Sequence, residues 1–163
     1  MNCTPFIENL YRDDRVNMAT YSVYYAGFSL TTHQKFELAK AITKIHADIT
    51  GAEAYFAQVI FKELDMHNFF IGGVLLDEPH IFMNGQIRNG RSEQTKKQLL
   101  VELEISIQSI SKLPSHQIWA YIDEIVPGQM IEYGQILPAV GDDSIWFSTL
   151  PASIQKKLIY LNS

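Results

Sequence analysis

A strand, a long helix and a second strand follow one another in the first half of the chain, and this order constrains the fold most. Residues 21–28, YSVYYAGF, are rich in β-forming side chains. Across residues 32–50 the apolar side chains recur at helical spacing, and Gly51 ends the helix. Residues 54–64, AYFAQVIFKEL, predict the second strand. Because a helix-length crossover joins the two strands, they should be parallel neighbours in one sheet.

The same order of elements occurs again in the second half of the chain. Residues 80–85 predict a strand, residues 92–111 a helix and residues 116–125 another strand. A duplicated β-α-β unit predicts an α+β fold, in which a four-stranded sheet carries two helices on one face. The remaining sequence predicts a small hairpin within residues 127–138 and a short C-terminal helix near Pro151.

Length and composition predict a single globular domain. The chain has 163 residues, of which 47% are hydrophobic and 19% are charged. We expect the domain to span residues 19–163, after an extension of residues 1–18 that is either disordered or not translated. The start of the extension contains acidic residues and no continuous apolar stretch, so it does not resemble a signal peptide.

Charge and motif content exclude several classes of function. The net charge is −5 and there is no basic run, so we predict no nucleic-acid partner. No apolar run approaches the ~20 residues of a membrane span, so we predict no membrane partner. The one cysteine, Cys3, cannot form an internal disulfide, which favours a cytoplasmic location. The five histidines are scattered without metal-ligand spacing, and no nucleotide-binding loop is present.

Three basic side chains are candidates for binding an anion. His46 lies on the apolar face of the first helix, where a buried core histidine is the commoner interpretation and a donor to an anionic substrate is the alternative. Arg88 and Arg91 flank an Asn-Gly pair directly before the second helix. Two guanidinium groups at a helix N-terminus could grip a carboxylate, although a solvated basic loop has the same pattern.

Two further side chains are candidates for activating water. Tyr121 lies in the middle of a predicted strand, where alternation places Trp119 and Asp123 on the same face. A core or interface tyrosine is the commoner interpretation at such a position. Glu132 lies between apolar residues, so its carboxylate is either exposed or half-buried with a raised pKa that suits a general base.

Three segments carry these candidates: LAKAITKIHADITG at 38–51, IFMNGQIRNGRSEQTKKQL at 81–99 and IWAYIDEIVPGQMIEYGQILP at 118–138. Together they resemble the cis-3-chloroacrylic acid dehalogenase branch of the tautomerase superfamily. The match runs from Tyr21 to about Leu150 without a gap. The resemblance implies a tandem β-α-β subunit that assembles as a homotrimer and acts without a metal or an organic cofactor.

The resemblance also implies roles for the candidate residues. His46, Arg88 and Arg91 match the group that binds and polarises the substrate carboxylate. Tyr121 and Glu132 match the pair that activates water for addition to an unsaturated acid. The chemistry of this family depends on an N-terminal proline that acts as a general acid or base, whereas the gapless match places an alanine, Ala19, at that position.

Ala19 therefore limits the chemistry that the chain can perform. An internal Ala19 has an amide nitrogen, which does not titrate near neutral pH. If translation starts at Met18 and the methionine is removed, Ala19 has a free α-amine with an unperturbed pKa of about 7.7–8.0. Burial beside Arg88 and Arg91 would lower that pKa, because both effects disfavour the ammonium form.

The sequence thus predicts a tautomerase- or hydratase-like enzyme that acts on a small unsaturated or 2-oxo carboxylate. Its reaction would be hydration, dehalogenation or keto-enol tautomerisation, weakened by the lack of the proline. The alternative is a catalytically silent homotrimer that binds a carboxylate ligand or a protein partner, since the extension before Ala19 would also have to leave the pocket.

Overall fold

The computed structural model describes residues 19–139 and 141–162, so the predictions for residues 1–18 lie outside the described part. The described chain contains eight strands and four α-helices. The strands are β1 (Ala19–Ala26), β2 (Ala57–Leu64), β3 (Phe70–Ile71), β4 (Val74–Leu75), β5 (His80–Arg88), β6 (Ile118–Ile125), β7 (Ile131–Glu132) and β8 (Gln135–Ile136). The helices are α1 (Thr32–Thr50), α2 (Glu93–Ser111), α3 (Asp143–Thr149) and α4 (Ala152–Leu161).

One four-stranded sheet in the order β2-β1-β5-β6 organises the fold. Strands β1 and β2 are parallel, as are β5 and β6, whereas β1 and β5 are antiparallel. The predicted tandem β-α-β fold is therefore confirmed. The structure has two small hairpins, β3–β4 and β7–β8, where the sequence predicted one, and two C-terminal helices where it predicted one.

The two β-α-β units have closely matched lengths. The first helical residues, Thr32 and Glu93, are 61 residues apart, and both helices contain 19 residues. The hairpin β7–β8 begins at Ile131, again 61 residues after the start of β3–β4 at Phe70. Duplication of one unit accounts for this constant spacing, and it allows equivalent positions in the two halves to be compared.

Local sequence explains where α1 begins and ends. Thr31 and Gln34 form a reciprocal capping box, in which the Thr31 hydroxyl accepts a hydrogen bond from the Gln34 backbone. Gly51 ends the helix in the left-handed conformation, with φ of 74°. The buried side chains of α1 are four residues apart and include His46, so the helical period turns His46 toward the sheet.

Gly85 in β5 provides the space that Tyr21 of β1 needs. A Cβ atom at residue 85 would lie 2.6 Å from Cε1 of the Tyr21 ring, which is closer than any real contact of this kind. Tyr21 can therefore lie flat across β5 only because residue 85 has no side chain. This packing fixes the direction of the Tyr21 hydroxyl beneath α1.

A second apolar cluster packs the C-terminal helices against the start of β2. It contains Phe56, Leu137, Trp146, Leu150 and Leu158, with Tyr55 and Tyr133 at its edge. The Tyr133 hydroxyl donates a hydrogen bond of 3.0 Å to the Tyr55 carbonyl oxygen. These contacts hold the β7–β8 hairpin against the end of the sheet.

Among the helices of the described chain, none has the length and apolar character needed to cross a membrane.

Candidate active site

Ala19 lies at the end of the sheet where the arginine loop, residues 88–92 from the last residue of β5 to the start of α2, begins. It is the first residue of β1, it is 1% exposed, and it pairs with Ala57 on one side and Ile87 on the other. Arg88 follows Ile87 directly, and Arg91 lies in the loop between β5 and α2. The antiparallel pairing of β1 with β5 therefore brings the start of one strand to the end of the other.

A cleft of about 730 Å³ opens at this same end of the sheet. Its walls come from β1, α1, the start of β2, the β7–β8 hairpin and α4. The lining residues are Thr20, Thr43, Ala54, Tyr55, Phe56, Ala57, Gln58, Ile131, Glu132, Tyr133 and Leu161. Thr20 follows Ala19 in the chain, and Ala57 pairs with Ala19 across the sheet. Glu132 therefore shares the cleft with the immediate neighbours of Ala19, the position where the family has its proline.

Glu132 has the electrostatic character of a general base that works near neutral pH. Its side chain is half-buried, and burial raises its pKa to about 7. Within residues 19–139 and 141–162, no hydrogen bond or ion pair holds its carboxylate. A carboxyl group with such a pKa interconverts between its two protonation states at physiological pH. Of the two alternatives from the sequence, the half-buried carboxylate is confirmed.

Tyr21 and His46 form a buried hydrogen-bonded pair. The Tyr21 hydroxyl lies 2.8 Å from His46 Nδ1, and both residues are fully buried. Burial raises the pKa of Tyr21, against a smaller opposing effect of the Arg91 charge. The phenol remains protonated, and it donates to Nδ1 when His46 is the neutral tautomer that carries its proton on Nε2. Sequence reasoning missed Tyr21, since nothing local links it to a partner 25 residues away.

Replacing Tyr21 with phenylalanine is expected to lower the free energy of unfolding by about 1–3 kcal/mol, because its buried hydrogen bond with His46 Nδ1 would be lost. Urea denaturation would measure this change, and ¹⁵N NMR of the imidazole would report the loss of a single tautomer. Tyr25→Phe is the matched control, since Tyr25 is also buried on β1 but its hydroxyl reaches Glu63 at 3.3 Å. Equal destabilisation by both variants, with an unchanged His46 spectrum, would contradict the assignment.

Arg88 is engaged within the protein. Its Nη1 donates to Asp143 Oδ1 at 3.0 Å and to the Pro138 carbonyl oxygen at 3.1 Å, and its Nη2 donates to Asp143 Oδ2 at 3.3 Å. Arg88 and Asp143 are 0% and 1% exposed. The interpretation of Arg88 as part of a solvated loop is therefore wrong. Sequence reasoning also missed Asp143, which belongs to α3 and not to the duplicated units.

Arg91 lies next to Arg88 and to the tyrosine–histidine pair. Its Nη1 donates to the Arg88 carbonyl oxygen, and its charge lowers the pKa of Tyr21. Backbone hydrogen bonds from Gly90 and Arg91 to the Glu124 carboxylate hold the loop in place. The structure thus brings both arginines and the Tyr21–His46 pair to one end of the sheet.

Tyr121 lies elsewhere in the subunit. Its side chain is 52% exposed on the sheet face opposite the helices, in edge-to-face contact with Phe82 at 5.1 Å. The predicted alternation in β6 is confirmed, because Trp119 and Asp123 are exposed with it. The interpretation as a core tyrosine is wrong for the isolated subunit. In this subunit Tyr121 does not line the cleft that contains Glu132.

The site has no preformed metal centre. In the part of the chain that the structure describes, no three histidine, cysteine, aspartate or glutamate side chains are grouped in a way that could hold a metal ion. The guanidinium, imidazole and phenol groups lie together, whereas the carboxyl group of Glu132 belongs to the cleft, whose lining does not include those side chains. Such a set can bind an anion, polarise it and exchange protons with it.

Comparisons with known proteins agree with this architecture. A family model described as "Putative oxalocrotonate tautomerase enzyme" matches residues 18–149. The crystal structure of N1, a member of the cis-3-chloroacrylic acid dehalogenase family, is 33% identical, with a TM-score of 0.78 over 86% of this chain and 98% of that chain. No curated protein matches the sequence significantly.

Two other solved structures are more distant. The native Ps01740 structure is 26% identical, with a TM-score of 0.65 over 69% of this chain and 99% of that chain. The asymmetric trimer of F6 fused 4-OT is 25% identical, with a TM-score of 0.66 over 75% of this chain and 98% of that chain. The chain therefore belongs to the tautomerase family matched by that model, in the branch that resembles cis-3-chloroacrylic acid dehalogenase.

Proposed function

We propose that this tautomerase-like protein acts on a small unsaturated or 2-oxo carboxylate, which it hydrates, dehalogenates or ketonises. One observation carries most of the proposal: a half-buried carboxyl group, Glu132, has a pKa of about 7 in a cleft that begins beside Ala19. A base of this kind can deprotonate water at neutral pH without a metal ion. The similarity to N1 supports the same class of chemistry.

The proposed division of labour follows the roles that the resemblance to the family implies. Arg91 binds the substrate carboxylate, while His46 polarises a carboxylate or carbonyl oxygen. Arg88 contributes to this group by fixing the loop that carries Arg91. Glu132 removes a proton from water, whose oxygen adds to the β-carbon of the unsaturated acid. The α-carbon then takes a proton from an Ala19 ammonium group where that amine is free, and otherwise from solvent.

A homotrimer would explain the position of Tyr121. The open face of the sheet carries the aromatic side chains of Tyr24, Phe82, Trp119 and Tyr121, in ring contacts such as Tyr24 with Phe82 at 6.0 Å. An aromatic surface of this kind is typical of a subunit interface. We propose that assembly as a homotrimer, as in the trimeric F6 fused 4-OT, brings Tyr121 of one subunit toward the Glu132 cleft of another.

A catalytically silent homotrimer that binds a carboxylate ligand or a protein partner is the second candidate. The backbone position of Ala19 favours it, because Ala19 pairs with both β2 and β5 at the start of β1. In a chain that continues before residue 19, the nitrogen at this position is an amide and supplies no proton.

An ultraviolet assay distinguishes the two candidates. The full chain and a chain that begins at Ala19 would be offered 3-haloacrylate, propiolate and phenylenolpyruvate. We expect the shorter chain to turn over at least one of these acids, because its amine can exchange a proton. If neither chain turns over any acid while Arg91→Ala still weakens carboxylate binding, the silent binding protein is the correct function.

A further inference from the structure

The buried contact between Arg88 and Asp143 gives α3 a role in substrate selection. We propose that Asp143 is a specificity-determining positioning residue, which restricts the site to monocarboxylates by holding and neutralising Arg88. This inference rests on the proposed carboxylate site and adds the class of acid that the site accepts. It concerns α3, a helix outside the two β-α-β units.

The geometry of the pair fixes the Arg88 side chain. Both carboxylate oxygens of Asp143 accept from the two terminal nitrogens of Arg88, at 3.0 and 3.3 Å, in the bidentate arrangement. The Pro138 carbonyl oxygen accepts a third hydrogen bond at 3.1 Å. Because both partners are almost completely buried, water does not compete for these contacts. Arg88 can release its terminal nitrogens to a ligand only by breaking a buried ion pair.

Neutralisation follows from the same contact. An arginine side chain remains protonated, so Arg88 by itself would add one positive charge to the loop that also carries Arg91. The carboxylate of Asp143 offsets that charge at direct contact distance. Trp146 of α3 contacts Phe56 of the cleft wall, at 5.7 Å between ring centroids, so the helix that carries Asp143 packs directly behind the cleft. A second carboxylate on a substrate in the cleft would therefore have behind the cleft wall a pair with no net positive charge to attract it.

A matched pair of ligands tests the proposal on the full-length protein. Isocrotonate and maleate share the cis-alkene and one carboxylate, and maleate replaces the methyl group by a second carboxylate. Their dissociation constants would be measured by titration calorimetry for wild type and Asp143→Asn. We expect the ratio of the maleate constant to the isocrotonate constant to fall roughly tenfold in the variant, because an uncompensated guanidinium attracts the extra charge.

Two further variants separate local neutralisation from other effects. Asp142→Asn removes the same charge from the exposed neighbouring residue, so the ratio should stay at the wild-type value. The double variant Arg88→Met/Asp143→Asn removes both charges of the pair. It should weaken the binding of both acids alike, because Arg88 fixes the loop that carries Arg91, and the ratio of the two constants should therefore stay at the wild-type value. The double variant still tests the proposal if Asp143→Asn alone does not fold, since it leaves no charge buried without a partner.

The outcomes are distinct. A roughly tenfold fall in Asp143→Asn with unchanged ratios in both controls supports the proposal. An unchanged ratio in folded Asp143→Asn, or a shifted ratio in the double variant, overturns it, because selection would then not depend on neutralisation. Wild-type protein that binds neither acid would overturn the proposed carboxylate site and this inference together.

Discussion

Replacing Glu132 with glutamine is expected to lower the rate of hydration by roughly 10²–10⁴-fold, the usual contribution of a general base. Glutamine has nearly the same size and remains polar, so the cleft and the β7–β8 hairpin should keep their shape. Carboxylate binding should change little, since the proposed ligands of the carboxylate lie in the arginine loop and on α1. Turnover in the ultraviolet assay and isocrotonate titration would measure the two effects separately.

Arg91→Ala provides the reciprocal control for this variant. It removes a proposed ligand of the carboxylate and should mainly weaken binding, while Glu132 remains available for any substrate that is bound. If Arg91→Ala left binding intact and abolished turnover, or Glu132→Gln did the reverse, the proposed division of roles would be wrong.

The pH dependence should follow Glu132 as well. Because burial raises the pKa of its carboxyl group from 4.5 to about 7, the group is protonated below neutral pH in the folded protein. Hydration by the wild type should therefore rise through about pH 7, and the glutamine variant should lack this rise. The folded state favours the protonated form of Glu132. The contribution of this group to the free energy of unfolding is therefore complete below pH 4.5 and is lost as pH rises through 7. Glutamine should accordingly stabilise the protein most above pH 7.

Periodicity predicted the main elements of this fold because each one is specified locally. The capping residues of α1 lie within three residues of each other, and the alternation of β6 is visible in its own sequence. The site depends instead on contacts between distant residues. Tyr21 reaches His46 across 25 positions, and Arg88 reaches Asp143 across 55. Neither partner carries a local signal, so the roles of these pairs could be assigned only from the folded chain.

The duplication also shows that three of the candidate side chains occur in one repeat only. For each of His46, Glu132 and Tyr121, the equivalent position lies 61 residues away in the opposite repeat and is an isoleucine. The equivalents are Ile107, Ile71 and Ile60. Two copies of one backbone thus carry different side chains at these positions. The polar groups are divided between the two repeats, since His46 belongs to the first and Glu132 and Tyr121 belong to the second.

The variant Ala19→Pro is expected to raise turnover only in a chain that begins at residue 19. There, the nitrogen of residue 19 is a free amine, which is worth roughly 10²–10⁴-fold in rate over a chain without it, and proline would make it the secondary amine on which the chemistry of the family depends. In the full-length chain the same substitution leaves an amide nitrogen, and turnover should stay at the level of the unsubstituted chain. Proline is tolerated at the first residue of a strand, so β1 should still form.

Four chains therefore test the role of this nitrogen: full-length and shortened protein, each with alanine or proline at residue 19. Because Asp143 offsets the charge of Arg88, burial of residue 19 and the charge of Arg91 are the influences left to lower the pKa of a free amine. A plot of rate against pH for the two shortened chains should show this group titrating beside Glu132. Equal turnover in all four chains would mean that the α-carbon takes its proton from solvent, and that residue 19 has no catalytic part.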